Sequence, residues 1–114
     1  MNSLMSLQDV ESVDAAIAES RERPVLLFKH SRYCGVSCEA LDELQSHIDS
    51  QSVPTVAYKM VTVQTHRSVS DAIAQRLGIR HETPQAILLR DGKAVWNASH
   101  FRITSNQLNQ VVSD

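Results

Sequence analysis

The run "VLLFKHSRYCGVSC", Val25 to Cys38, decides the fold. Its first five residues, Val25 to Lys29, form an almost unbroken apolar stretch without alternation, the pattern of a strand covered by helices on both faces. A helix-flanked sheet with parallel pairing follows from it. Beyond the polar segment, Leu41, Leu44 and Ile48 repeat at helical spacing, and the pattern extends back to Cys38. Cys34 therefore stands where a buried strand gives way to the start of a helix.

Working outward, the chain before Val25 reads as a helix from Ser6, with Ser6 as N-cap, Asp9 three residues later, and Val10, Val13 and Ile17 on one face. Pro24 follows it. On the other side, "TVAYKMVTV", Thr55 to Val63, is a second strand, and Ser68 to Leu77 is a helix closed by Gly78. The loop "IRHETPQ" leads into "AILLR" and "KAVWNA", which flank Asp91-Gly92, a two-residue turn that favours an antiparallel hairpin. The last helix opens at Thr104, where Thr104 and Gln107 have capping-box spacing and Ile103 and Leu108 the spacing of a hydrophobic staple. The expectation is one α/β domain over residues 1–114. Its central mixed sheet has about four strands, flanked by helices, with an extra helix at the N-terminus. A cysteine directly after the first strand and a Thr-Pro directly before the third resemble the thioredoxin fold, in which that proline is cis and faces the cysteine.

Composition narrows the function. The 114 residues carry a net charge of −2, and the longest basic cluster is Arg21 to Arg23, which excludes nucleic acid and anionic membranes as expected partners. The first residues lack a basic segment followed by an apolar run, and no apolar stretch approaches the length of a bilayer span, so the expected location is cytoplasmic. In a reducing compartment, two cysteines point to reactive or buried thiols rather than a structural staple.

The thiolate is the nucleophile in disulfide exchange, and a helix N-terminus stabilises it through free N–H groups and partial positive charge. Cys34 is placed for that role, with Lys29, His30 and Arg32 as nearby sources of positive charge and, like Arg80, His81 and His100, as candidate substrate-binding residues. Cys38 has two readings. Residues four apart on a helix have Cα atoms about 6.2 Å apart, near the long end of the disulfide range, so Cys38 could resolve a mixed disulfide. Alternatively, it shares the face of Leu41 and Ile48 and packs as a small hydrophobe. The closer partner position is held by Ser37. Trp96, at alternate spacing with Ala94 and Ala98, reads as sheet-face packing, while His47 and His66 carry no motif. His30, Cys34 and Cys38 make an incomplete zinc set, so no metal is expected.

"KHSRYCGVS" resembles the site of the monothiol bacilliredoxins, Lys-His-Ser followed by Cys-Pro-Ile-Ser; "HETPQ" and "AVWNASHFRIT" are similar to that family's cis-proline loop and its strand-to-last-helix segment. The resemblance implies a thioredoxin-fold enzyme that removes bacillithiol, a low-molecular-weight thiol, from S-thiolated client proteins. Bacillithiol would be a co-substrate rather than a tightly bound cofactor, and a reductase would recycle it. It also implies that Cys34 is the nucleophile, supported by Gly35, Ser37, Thr83 and Pro84, with the Thr83 backbone pairing with the bound partner. Arg80 and His81 would meet the malate carboxylates of bacillithiol, and His100 would lie near Cys34. Gly35 stands where the family has proline, and Cys38 is an addition. "CGVS" also resembles the Cys-Gly-Phe-Ser of monothiol glutaredoxins, which hold an iron–sulfur cluster with a small thiol. The Gly-Gly-Cys-Asp segment of those proteins is replaced here by "WNASHFRIT". A third reading is a non-catalytic stress or adaptor module whose Cys34 is merely capped under oxidation.

Overall fold

The computed structural model describes residues 4–50 and 55–113. Among them the chain forms β1 (Leu4–Ser6), α1 (Val10–Glu19), β2 (Val25–His30), α2 (Gly35–Ser50), β3 (Ala57–Thr62), α3 (Arg67–Leu77), β4 (Gln85–Arg90), β5 (Lys93–Ser99), a 3-10 turn (His100–Arg102) and α4 (Ser105–Ser113). The sheet order is β1-β3-β2-β4-β5, with β1 and β2 parallel to β3 and the pairs β2–β4 and β4–β5 antiparallel.

All six residues of β2 are buried, because this central strand is covered on both faces. Leu26 and Phe28 enter one core with Ala40, Leu44, Tyr58, Leu88 and Leu108, beneath α2 and α4. Val25 and Leu27 enter the other with Val13, Val69, Ile73, Ile87 and Leu89, beneath α1 and α3. Each Val, Leu, Ile or Phe side chain among them contributes roughly 1.5–3 kcal/mol by leaving water.

Several boundaries differ from the sequence reading. The first helix starts at Val10, not after Ser6, and its N-cap is Asp9, whose carboxylate accepts the Ser12 N–H at 2.8 Å. Ser6 instead ends β1, a fifth strand, whose partner in the sheet is β3. Three residues with Met5 and Ser6 exposed carry no periodic signal, so only pairing defines this strand. Asp91 and Gly92 have φ of 54° and 79°, the two positive values of a type I′ hairpin turn. A bulge then shifts the register, with Leu88 opposite Trp96 and Leu89 opposite Ala94. Trp96 consequently packs on the α2/α4 core and Ala94 on the other, so their alternate spacing does not put them on one face. Thr104 Oγ1 accepts the Gln107 N–H at 3.2 Å, and Ile103 and Leu108 share a core, as their spacings anticipate.

Candidate active site around Cys34

In the antiparallel β2–β4 and β4–β5 pairs, Lys29 lies opposite Gln85 and Gln85 opposite Ser99. The segments after Lys29, before Gln85 and after Ser99 therefore leave the sheet at the same end. That end collects the Cys34 loop, the Thr83-Pro84 peptide and His100. The Thr83-Pro84 bond is cis, as the fold resemblance implied, and the Pro84 carbonyl accepts the His100 N–H at 3.0 Å. His100 has φ of 56°, a left-handed conformation uncommon for a residue with a side chain.

Cys34 is the N-cap residue of α2. Its carbonyl accepts the Cys38 N–H at 3.0 Å, the first bond of the helix, and its own N–H donates to the Ser31 carbonyl at 3.3 Å. The Cys34 thiol is free and half-buried. Gly35 follows, exposed, with open space around the position a Cβ would take.

Ser37 is 0% exposed. Its Oγ accepts the Ser31 N–H at 2.9 Å and is hydrogen bonded to His30 Nδ1, also at 2.9 Å. His30, stacked on Phe28, is held below the usual histidine range by burial first and the Arg32 charge second. Ser37 thus occupies the position of a second thiol, but its hydroxyl is committed to closing the loop that carries Cys34.

Lys29 projects to the opposite face of the sheet from His30 and is itself 0% exposed. Its Nζ donates to His81 Nδ1 at 3.1 Å, and Ser70 Oγ is 3.4 Å from the same nitrogen. Burial pushes the Lys29 ammonium down to about 8, against an opposing pull from the Asp71 carboxylate. Desolvation and then the Lys29 charge lower His81 as well, which keeps its ring able to accept. Adjacent residues of one strand therefore fasten the two halves of the site: Lys29 the proline loop, His30 the cysteine loop. This corrects the reading of Lys29 and His30 as substrate-binding groups, because buried side chains with these partners do not reach a ligand.

Arg32, Arg80 and His81 are exposed. The Arg32 N–H donates to Gln64 Oε1 at 3.0 Å, and the Arg80 carbonyl accepts from Gln85 Nε2 at 3.1 Å. Gln64, Ser70 and Gln85 are supports that sequence reasoning missed. Gln85 alone carried a signal, as a polar residue opening an otherwise apolar strand beside the proline. Its Oε1 and Thr83 Oγ1 are buried without a hydrogen-bond partner among the described residues.

Cys38 is exposed, which corrects its reading as a core residue. The buried stripe of α2 is Ser37, Ala40, Leu44, His47 and Ile48, and Cys38 lies about 100° further round the helix than Ser37. His47, which carried no motif, is fully buried. Its Nδ1–H donates to Asn109 Oδ1 at 2.5 Å and its Nε2 accepts from the Tyr58 hydroxyl at 2.7 Å, joining α2, β3 and α4 away from Cys34. No group of three or more His, Cys, Asp and Glu residues suited to a metal occurs among the described residues. No described helix is long and apolar enough to cross a membrane.

A cysteine capping the helix after a central strand, beside a strand headed by a cis proline, places the protein among the thioredoxin-fold thiol oxidoreductases. The model of the family described as monothiol bacilliredoxin BrxC matches residues 5–108, and the chain belongs to that family. A solved structure described as a candidate oxidoreductase with a thioredoxin fold is similar at 29% identity and TM-score 0.84, covering 94% of this chain and 91% of that one. Thioredoxins from Malassezia sympodialis (15% identity, TM-score 0.77, covering 99% and 90%) and Fasciola hepatica (16%, 0.73, covering 96% and 96%) share the fold.

Proposed function

We propose that this protein removes bacillithiol, or a closely similar small thiol, from S-thiolated client proteins, with Cys34 as the nucleophile. The observation that carries the reading is Cys34 itself, a free and partly accessible thiol capping α2 beside the cis-proline loop. The Cys34 thiolate attacks the small-thiol sulfur of the client mixed disulfide. The client sulfur leaves as a thiolate and takes up a proton, and the small thiol remains disulfide-bonded to Cys34. A second small thiol, attacking as its thiolate, then forms the symmetrical disulfide and restores the Cys34 thiolate; a reductase returns that disulfide to two thiols.

Arg32, Arg80 and His81, exposed on the loops around the site, supply cationic and hydrogen-bonding groups for the carboxylates of the malate moiety. We assign to His100, whose backbone N–H donates to the Pro84 carbonyl, assistance of proton transfer to the departing client thiolate. The backbone at Thr83 offers the client an antiparallel pairing edge. Lys29, His30 and Ser37 act by positioning. Cys38, one turn into α2, is not required for client release.

Turnover tests the reading. An S-bacillithiolated client in excess, with free bacillithiol and its reductase, should yield many equivalents of client thiol per protein molecule. Release that stops at one equivalent would identify a module that is capped rather than an enzyme. Release by the Cys34→Ser variant would remove Cys34 from the chemistry.

A further inference from the structure

The end of the sheet that carries Cys34 also opens into a groove of about 420 Å³ between α2 and the His100–Thr104 segment. Val36, one residue beyond Gly35, and His100, bonded to Pro84, place one end of the groove against the proposed exchange site. Its apolar part is Val36, Ala40, Ile103 and Phe101, the last 70% exposed, an unusual degree for a large aromatic ring. Its polar rim is Glu39, Asp42 and Glu43. Glu43 Oε1 accepts the Ser105 N–H at 2.7 Å, holding the start of α4, while Glu39 and Asp42 have no ion-pair or hydrogen-bond partner among the described residues. His100 closes the end of the groove beside Pro84, and the exposed arginines near the site lie elsewhere: Arg32 and Arg80 are on other loops, and Arg102 lines a neighbouring depression with Trp96.

We infer that this groove receives the client polypeptide, and that it selects clients whose thiolated cysteine has a lysine or arginine a few residues away, next to an apolar side chain. The inference rests on the exchange activity proposed above. The occupant follows from charge. A dicarboxylate small thiol is repelled by Glu39 and Asp42 and drawn to the arginine loops, whereas a cationic segment is attracted to the acidic rim and covers Phe101 and Val36 with its apolar neighbour. The two parts of the mixed disulfide are thereby drawn to different surfaces around Cys34, the client to the groove and the small thiol to the arginine loops.

Two S-bacillithiolated peptides differing only in Lys or Glu near the cysteine test this, each corrected for its reaction with a free thiol. At low salt the lysine peptide should have a kcat/KM on the order of fivefold higher, the scale of one or two exposed charge pairs. The preference should shrink in about 0.5 M salt and in the Glu39→Gln/Asp42→Asn variant, whose changes lie on the exposed rim. Equal rates in the unaltered protein, or a preference that survives the double variant, would overturn the groove assignment. Failure to turn over either peptide would instead count against the exchange activity. The groove is then decided by titrating the same peptides, with serine replacing the cysteine, against backbone amide shifts. The lysine peptide should move Val36, Ala40 and Phe101 more than the glutamate peptide does, and shifts confined to other residues would overturn the assignment.

Discussion

Replacing Ser37 by alanine removes one oxygen and two hydrogen bonds. The bond to His30 is buried, and the bond from the Ser31 N–H is partly buried. Loss of a partner for a buried polar group costs about 1–3 kcal/mol and a partly buried bond about 0.5–1.5 kcal/mol, so Ser37→Ala should destabilise by roughly 2–4 kcal/mol. For a chain of this length that is a fall in Tm of roughly 8–16 °C. Urea unfolding followed by circular dichroism measures it directly, and the Cys34 thiol should become more accessible to alkylation because the loop it caps has lost its clasp. Ser37→Cys fills the same space with a weaker hydrogen-bonding group, so its loss of stability should be smaller. On oxidation that variant should also form a disulfide between Cys34 and the introduced thiol, because residues three apart at a helix start are about 5 Å apart. A Ser37→Ala protein within about 0.5 kcal/mol of the unaltered chain, the scale of a surface substitution that breaks nothing, would refute the assignment of Ser37 as the clasp.

Further outcomes follow from the buried ionisable groups and the helix start. Lys29 titrates near 8 in the folded chain against 10.5 unfolded, so the unfolded state binds more protons between those values. Stability should therefore rise by about 3 kcal/mol from pH 8 to 10.5 relative to Lys29→Met. A parallel pH profile for the two proteins would be inconsistent with a buried ammonium. His47 is lowered by burial, with the Asn109 hydrogen bond opposing. Its contribution is complete above the unfolded value of about 6.5 and is lost as pH falls through the folded value, so the urea midpoint should drop on acidification less steeply in His47→Gln than in the parent. Gly35 begins α2 with open space at its Cβ position, so Gly35→Pro should fold and gain about 0.4–1 kcal/mol in equilibrium unfolding; a loss of that size would mean that Gly35 adopts a backbone conformation closed to proline.

The site's location was legible because backbone rules set it. An apolar run without alternation marks a strand buried on both faces, and a helix pattern after a short polar segment leaves Cys34 at the junction. Side-chain direction was less legible. Lys29 and His30 are neighbours in the sequence, but strand alternation sends them to opposite faces, and only the tertiary positions of His81 and Ser37 give each its role. Cys38 was misread because Leu41, half-buried at the edge of the α2 stripe, was used to centre it, whereas Ser37 and Ala40 lie nearer the middle. The capping role of Asp9 was missed for a related reason: Ser6 offered the same chemistry three residues earlier, and β1 had too few residues to displace it.

The most direct test of the proposed chemistry is a single encounter without free thiol: equimolar protein and S-bacillithiolated client, quenched with acid, digested and mapped by mass spectrometry. The small thiol should move from the client to Cys34, to the same extent in Cys38→Ser, and should stay on the client with Cys34→Ser. A small thiol found on Cys38, or a Cys34–Cys38 disulfide formed as fast as the client is released, would contradict a mechanism in which Cys34 acts alone.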